Sequence, residues 1–245
     1  MTTLADLQAA RPSDPLLRWR VDSHAITDLM VDGDHAAWIE PGLTTPEAWG
    51  AVMGEDPTRV VALLRALDAR RSLDGVTVLA GMRSVLPHDY ASHDAGEWSL
   101  WTLGERGIQL RPGQAIPIEP GDPRIDEVLQ YSSSAYLGAT SDRVVMWSGV
   151  EDGGRLVAVA GLTRESSGAV QLVSVCAVPE ARGRGLAGQV CADLVQRAGD
   201  VPKVVLEMYS ANATAASLYR RLGFVEAQRH SSGLIDARRA QAPVE

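Results

Sequence analysis

The stretch Val173–Val195, V-S-V-C-A-V-P-E-A-R-G-R-G-L-A-G-Q-V-C-A-D-L-V, constrains the fold more than any other part of the chain. It begins as an apolar run rich in β-branched residues and then places apolar side chains at Leu186, Val190 and Leu194. The period therefore changes from that of a strand to that of a helix at the Arg/Gly segment. A strand runs through a glycine-rich turn into a helix. The first amides of a helix lack intrahelical partners and sit at the positive end of its dipole, where a phosphate can accept them. Gly183 and Gly185 let the backbone approach an anion with no Cβ in the way, and Arg182 and Arg184 add charge that does not titrate near neutral pH. The segment Arg182, Gly183, Arg184, Gly185, Leu186, Ala187 reads as a pyrophosphate cradle.

The longer pattern V-x-P-x-x-R-G-x-G-x-A resembles the acetyl-CoA signature of the GNAT acyltransferase family, R/Q-x-x-G-x-G/A, with Arg182, Gly185 and Ala187 in its fixed positions. Downstream, L-E-M-Y-S-A-N-A-T-A-A-S-L-Y-R-R-L-G-F resembles the family's N-x-x-A-x-x-L-Y-x-x-x-G-F. Asn212, Ala215, Leu218, Tyr219, Gly223 and Phe224 occupy every stated position. Two ordered motifs are much harder to obtain by chance than one. The resemblance covers the last ~130 residues, an ordinary single-domain length. It implies an α/β (α+β) fold, a mixed sheet flanked by helices.

The chain has 245 residues, 45% of them hydrophobic and 22% charged, which describes a globular protein. The net charge of -8 argues against a general nucleic-acid surface. Up to Pro112 there are 10 Lys/Arg against 16 Asp/Glu, leaving 13 against 15 for the remainder, so the acidity sits in the half without the signature. No basic-plus-apolar leader and no run of 18 apolar residues is present, so a cytoplasmic location without membrane contact is expected. Cys176 and Cys191 lack metal-ligand spacing and read as buried free thiols, while His24, His35, His88 and His93 read as solvated loop residues. No metal is expected.

Taken in order, residues 1–15 read as a loosely held start, and L-R-W-R-V (Leu17 to Val21) and A-A-W-I-E (Ala36 to Glu40) as strands. Thr45-Pro46-Glu47 and Asp56-Pro57 are helix starts, and after the second Val60, Leu63, Leu64 and Leu67 would face a core. Strands are expected at Gly75 to Ala80 and Trp98 to Leu103. The Pro/Gly-rich segment Arg111 to Pro123 divides the chain into a mixed α/β domain, residues 1–112, and a cofactor-binding catalytic domain, residues 113–245. Three readings fit the first domain: structural support, a degenerate GNAT-like half, and an acceptor-binding domain. The second reads as a helix from Pro123 to Tyr136 and a three-strand meander. The cradle helix follows, then a strand from Val204 to Met208, a helix from Ala213 to Leu222 and a last strand from Phe224 to about Arg229. That order, β-α-β-β-β-α-β-α-β, is the one the resemblance implies.

What the resemblance implies chemically is acyl transfer from acetyl-CoA, a cosubstrate, to a small-molecule or peptide amine. Its pantetheine arm would lie between the strands at residues 172–178 and 204–208, bound by amides near Cys176, Ala177 and Val178. Asn212 matches a position that caps the next helix and can contact the arm, and an N-cap alone also explains it. Tyr219 matches the tyrosine that protonates the departing thiolate, with packing on the sheet as its plain alternative. Some relatives carry a basic glutamate in the central strand, where this chain has Gln171; others carry L-E-V before the asparagine, where Glu207 stands in L-E-M. An exposed strand carboxylate is the competing account of Glu207. Trp147, Tyr136 and Ser132 to Ser134 fall where the family places acceptor contacts. The leading reading is an N-acetyltransferase; a non-catalytic acyl-CoA-binding regulatory protein is the alternative, and a homodimer is compatible with either. An acidic first domain that attracts a cationic partner is a third possibility.

Overall fold

The computed structural model describes residues 2–41, 48–90 and 95–235. Contacts divide the chain into two compact units: Met1–Leu100 with Tyr209–Ala211 and Ala227–Glu245, and Trp101–Met208 with Asn212–Glu226.

The first unit opens with α1 (Leu4–Ala10) and α2 (Pro15–Trp19), where a loose start and a strand were expected. Thr3 and Asp6 form a reciprocal cap on α1, and Leu7 is buried. Asp14 accepts the amides of Leu16 and Leu17, and Pro15 holds the first helical position of α2. Five residues are too few to display a 3.6-residue period, so the alternation of Leu17, Trp19 and Val21 imitated a strand. Next come β1 (Thr27–Asp32), β2 (His35–Pro41) and β3 (Ala48–Met53), paired antiparallel in that order. The helix start expected at Thr45-Pro46-Glu47 lies outside the described residues, and the segment after it is strand β3. Then α3 (Pro57–Arg70) leads to β4 (Gly75–Leu79), which runs parallel to β3. Asp56 caps α3 through the amides of Thr58 and Arg59, and Val60, Leu63, Leu64 and Leu67 are buried as their spacing requires.

Strand β5 (Gly96–Leu103) begins in the first unit and ends in the second. The second unit continues with β6 (Ile116–Ile118), α4 (Pro123–Leu129), β7 (Val144–Asp152), β8 (Arg155–Arg164), β9 (Val170–Ala177), α5 (Leu186–Ala198), β10 (Val204–Tyr209), α6 (Ala213–Leu222) and β11 (Phe224–Leu234). This is the expected order. Strands β6 to β9 form an antiparallel series, and β10 joins β9 in parallel. Helix α4 stops at Leu129 instead of Tyr136, because the Ser132 hydroxyl accepts the Ala135 amide at 3.1 Å and turns the chain. Ile125 and Val128 of α4 and Leu186, Val190 and Leu194 of α5 join Trp147, Leu162, Leu172 and Leu206 in one buried core. Each such side chain contributes roughly 1.5–3 kcal/mol on burial.

A single cut at 112/113 does not separate the units. From Ala227 onward β11 belongs to the first unit, where His230–Leu234 pair antiparallel with Gly75–Leu79 of β4. The strand therefore extends five residues past the expected end at Arg229.

The path β1-β2-β3-α3-β4 repeats the path β7-β8-β9-α5-β10: an antiparallel meander, a helix, then a strand parallel to the third. The turn before the helix differs between the two. Before α3 the Asp56 carboxylate takes the leading amides, the Asp56 amide donates to His35 Nε2 at 3.0 Å, and a Cβ on Gly54 would overlap the His35 ring. The first unit fills that end of its helix with its own side chains.

Candidate functional site

Strands β9 and β10 are matched at Val170–Val204, Gln171–Val205 and Leu172–Leu206, after which both continue, β9 to Ala177 and β10 to Tyr209. Beyond that ladder β9 carries an extra residue against β8. Val173 opposes Gly161 and Cys176 opposes Val159, so three steps on β9 match two on β8. Ser174 absorbs the excess with φ at 51°. Its hydroxyl donates to the Leu137 carbonyl at 2.7 Å. The bulge bends β9 where its ladder with β10 ends, and the edge facing β10 opens.

The opening corrects the choice of amide donors. The Val178 amide donates to Val157 O at 3.0 Å, and strand alternation turns the Cys176 amide toward β8 as well. Ala177 faces the other way, so its amide is the one directed to the open edge. Cys176 is 6% exposed, its Sγ donates to Val128 O, and burial raises its pKa despite the opposing pull of Arg182.

The turn that follows carries Gly183 and Gly185 at φ 77° and 75°, the left-handed region that glycine alone adopts without strain. Among the described residues nothing lies within 4 Å of where a Cβ would stand at either position. Gly185 is the N-cap of α5, and among the described residues no side chain caps the helix. A thirteen-residue helix thus offers uncapped leading amides at a turn with free space around it, which fits a pyrophosphate. The arginines are engaged elsewhere. Arg182 donates to the carbonyls of Ala177 and Tyr131, each at 3.2 Å, and Arg184 pairs with Asp152 at 2.7 Å.

Glu207, half-buried, is the first residue of β10 past its ladder with β9. Asn212 Oδ1 accepts the Ala215 amide at 3.0 Å and so caps α6. Tyr219 is 7% exposed on α6, edge-on to Phe224 at 6.0 Å between ring centroids. Burial lifts its phenol well above the ordinary tyrosine range, with the Cys191 thiol adding to the effect, so the hydroxyl keeps its proton. Gln171 is 2% exposed, its side-chain oxygen has no partner among the described residues, and as an amide it supplies no base. Cys191 is fully buried, its thiol pushed up to about 12.

Residues 116–224 match the sequence pattern of the Acetyltransferase (GNAT) family. That span is a GNAT-like segment. Several solved structures resemble it in fold over most of its length. A GCN5-related N-acetyltransferase from Kribbella flavida is 17% identical, with 93% of this chain and 95% of that one covered and a TM-score of 0.56. A GCN5-related N-acetyltransferase from Sphaerobacter thermophilus is 16% identical, covering 96% and 94%, at 0.54. A putative acetyltransferase of the GNAT family from Novosphingobium aromaticivorans is 20% identical, covering 84% and 89%, at 0.51.

Two features of this GNAT-like segment escape sequence reasoning. One is the Ser174 bulge, which leaves no trace because β9, VQLVSVCA, has no regular polar and apolar alternation for an inserted residue to break. The other is the tie between Arg182 and the 131–137 segment. Trp147, expected at the acceptor, is fully buried in the core, while Tyr131 and Tyr136 are 42% and 39% exposed. Among the described residues no group of three or more His, Cys, Asp or Glu is placed to hold a metal, and no helix is long and apolar enough to cross a membrane.

Proposed function

We propose that this protein transfers an acetyl group from acetyl-CoA to a primary amine. One observation carries the reading: the open edge of β9 beyond Leu172 leads within a few residues into an uncapped helix N-terminus with two left-handed glycines. The turn 182–187 would hold the pyrophosphate, and Ala177 would bind the arm. The acetyl donor supplies an activated carbonyl; the chain supplies alignment and proton handling. Glu207 takes the proton that the attacking nitrogen must lose as its lone pair forms the C–N bond. Tyr219 gives its proton to sulfur as the C–S bond breaks. The acidic balance of residues 1–112 supports a cationic amine as acceptor.

The test is a panel of mono-, di- and polyamines and peptide N-termini incubated with purified protein and acetyl-CoA, following free thiol and the mass of each amine. Acetylated product with stoichiometric thiol is expected. Tight CoA binding with no product from any amine would sink the catalytic reading.

A further inference from the structure

The segment 131–137, which follows α4, is pinned at both ends by the strand and turn assigned above to the cofactor. At its far end the Ser174 hydroxyl donates to Leu137 O at 2.7 Å. At its near end Arg182 Nη2 donates to Tyr131 O at 3.2 Å. The same guanidinium donates from Nε to Ala177 O, also at 3.2 Å, on the open edge of β9. Both acceptors of Arg182 are neutral carbonyls, so its charge has no carboxylate ion partner among the described residues. Arg184, two positions on, spends its charge on Asp152. A guanidinium has five donors in one rigid plane, and the described residues engage two of them.

We propose that Arg182 is a positioning residue that couples occupancy of the cofactor turn to order in the segment 131–137. The inference rests on the acetyltransferase reading. A pyrophosphate at residues 183–187 lies next to the main chain of Arg182 and engages its remaining donors. Fixing that plane also fixes the carbonyls of Tyr131 and Ala177, because one rigid group serves all three. The coupling is reciprocal: whatever orders 131–137, including an amine bound against it, tightens CoA by the same factor.

Amide exchange of residues 131–137 with and without free CoA, alongside CoA affinity by calorimetry, tests this. In the parent protein CoA is expected to slow exchange of the segment by about fivefold or more. Arg182→Ala and Arg182→Lys, the second keeping charge but losing the rigid planar fork, should bind CoA within about tenfold of the parent yet give no slowing. Arg184→Ala should slow the segment as the parent does. Ser174→Ala, which severs the far end alone, should keep the slowing at the Tyr131 end. Parent-like slowing in either CoA-saturated Arg182 variant overturns the coupling, as does loss of slowing at Tyr131 in Ser174→Ala. A parent protein that binds CoA without slowing the segment overturns the coupling and spares the acetyltransferase reading. Failure of the parent to bind CoA removes both.

Discussion

Leu172 and Leu206 are the last matched pair between β9 and β10, and Glu207 is the next residue along. Its place follows from the ladder's end: up to Leu206 the strand is sealed, with Val204, Val205 and Leu206 all buried, and from Glu207 onward exposure rises. A carboxylate at that step can meet an amine without entering the core. Glu207→Gln keeps shape and hydrogen bonding while removing basicity. It should lower kcat/KM by about 10² to 10⁴ with CoA affinity unchanged, and should abolish the acidic limb of the pH-rate profile. Parent rates with that limb intact would assign the base to another group or to water.

The turn makes a different prediction, because its geometry lies in the backbone. Gly185→Val forces a β-branched residue into φ 75° at the cap of α5, whereas Arg184→Ala releases only an exposed ion pair with Asp152. Calorimetry should show the glycine variant losing far more CoA affinity than the arginine variant. The reverse order would mean that side-chain charge, not main-chain amides, holds the phosphates.

Tyr219→Phe isolates one hydroxyl. The edge-on contact with Phe224 survives the change, so thermal stability should stay close to the parent. The chemical step seen in single turnover should slow by about 10² or more, since the thiolate then leaves without an internal proton. Equal single-turnover rates would reduce Tyr219 to a packing residue.

What the sequence discloses depends on how each element is specified. Helix α3 is legible because Asp56-Pro57 is a local start signal and Val60, Leu63, Leu64 and Leu67 repeat over several turns. Helices α1 and α2 carry start signals of the same kind, Thr3 with Asp6 and Asp14 with Pro15, but they are too short for a period to accumulate. The cradle reads through because left-handed backbone demands glycine, so Gly183 and Gly185 record geometry directly in composition. The edge of the first unit does not. The far half of β11 is held by its register against Gly75–Leu79, some 150 residues earlier in the chain, and nothing local to His230–Leu234 encodes that partner. The same holds for Arg182, whose reach to Tyr131 spans 51 positions.

The buried thiol of Cys191 predicts how stability depends on alkaline pH. In the unfolded chain it loses its proton near the ordinary 9.0, while in the folded protein burial pushes it up to about 12. As pH rises past 9 the unfolded state gives up a proton that the folded state keeps, so stability is intact below that point and drains away above it. One such group removes about 1.4 kcal/mol between pH 8 and pH 10. Tyr219, raised by the same cause from 10.0, begins to add to the loss as pH approaches 10, in both proteins alike. Urea unfolding under a reductant at pH 7, 8, 9 and 10 should therefore show the parent weakening toward pH 10. Cys191→Ala should start lower, because it leaves a small cavity where a fully buried side chain stood. Its stability should then fall by about 1.4 kcal/mol less over the same interval. Parallel curves for the two proteins would show that the thiol ionises as readily in the folded state as in the unfolded one, and that solvent reaches the inner side of α5.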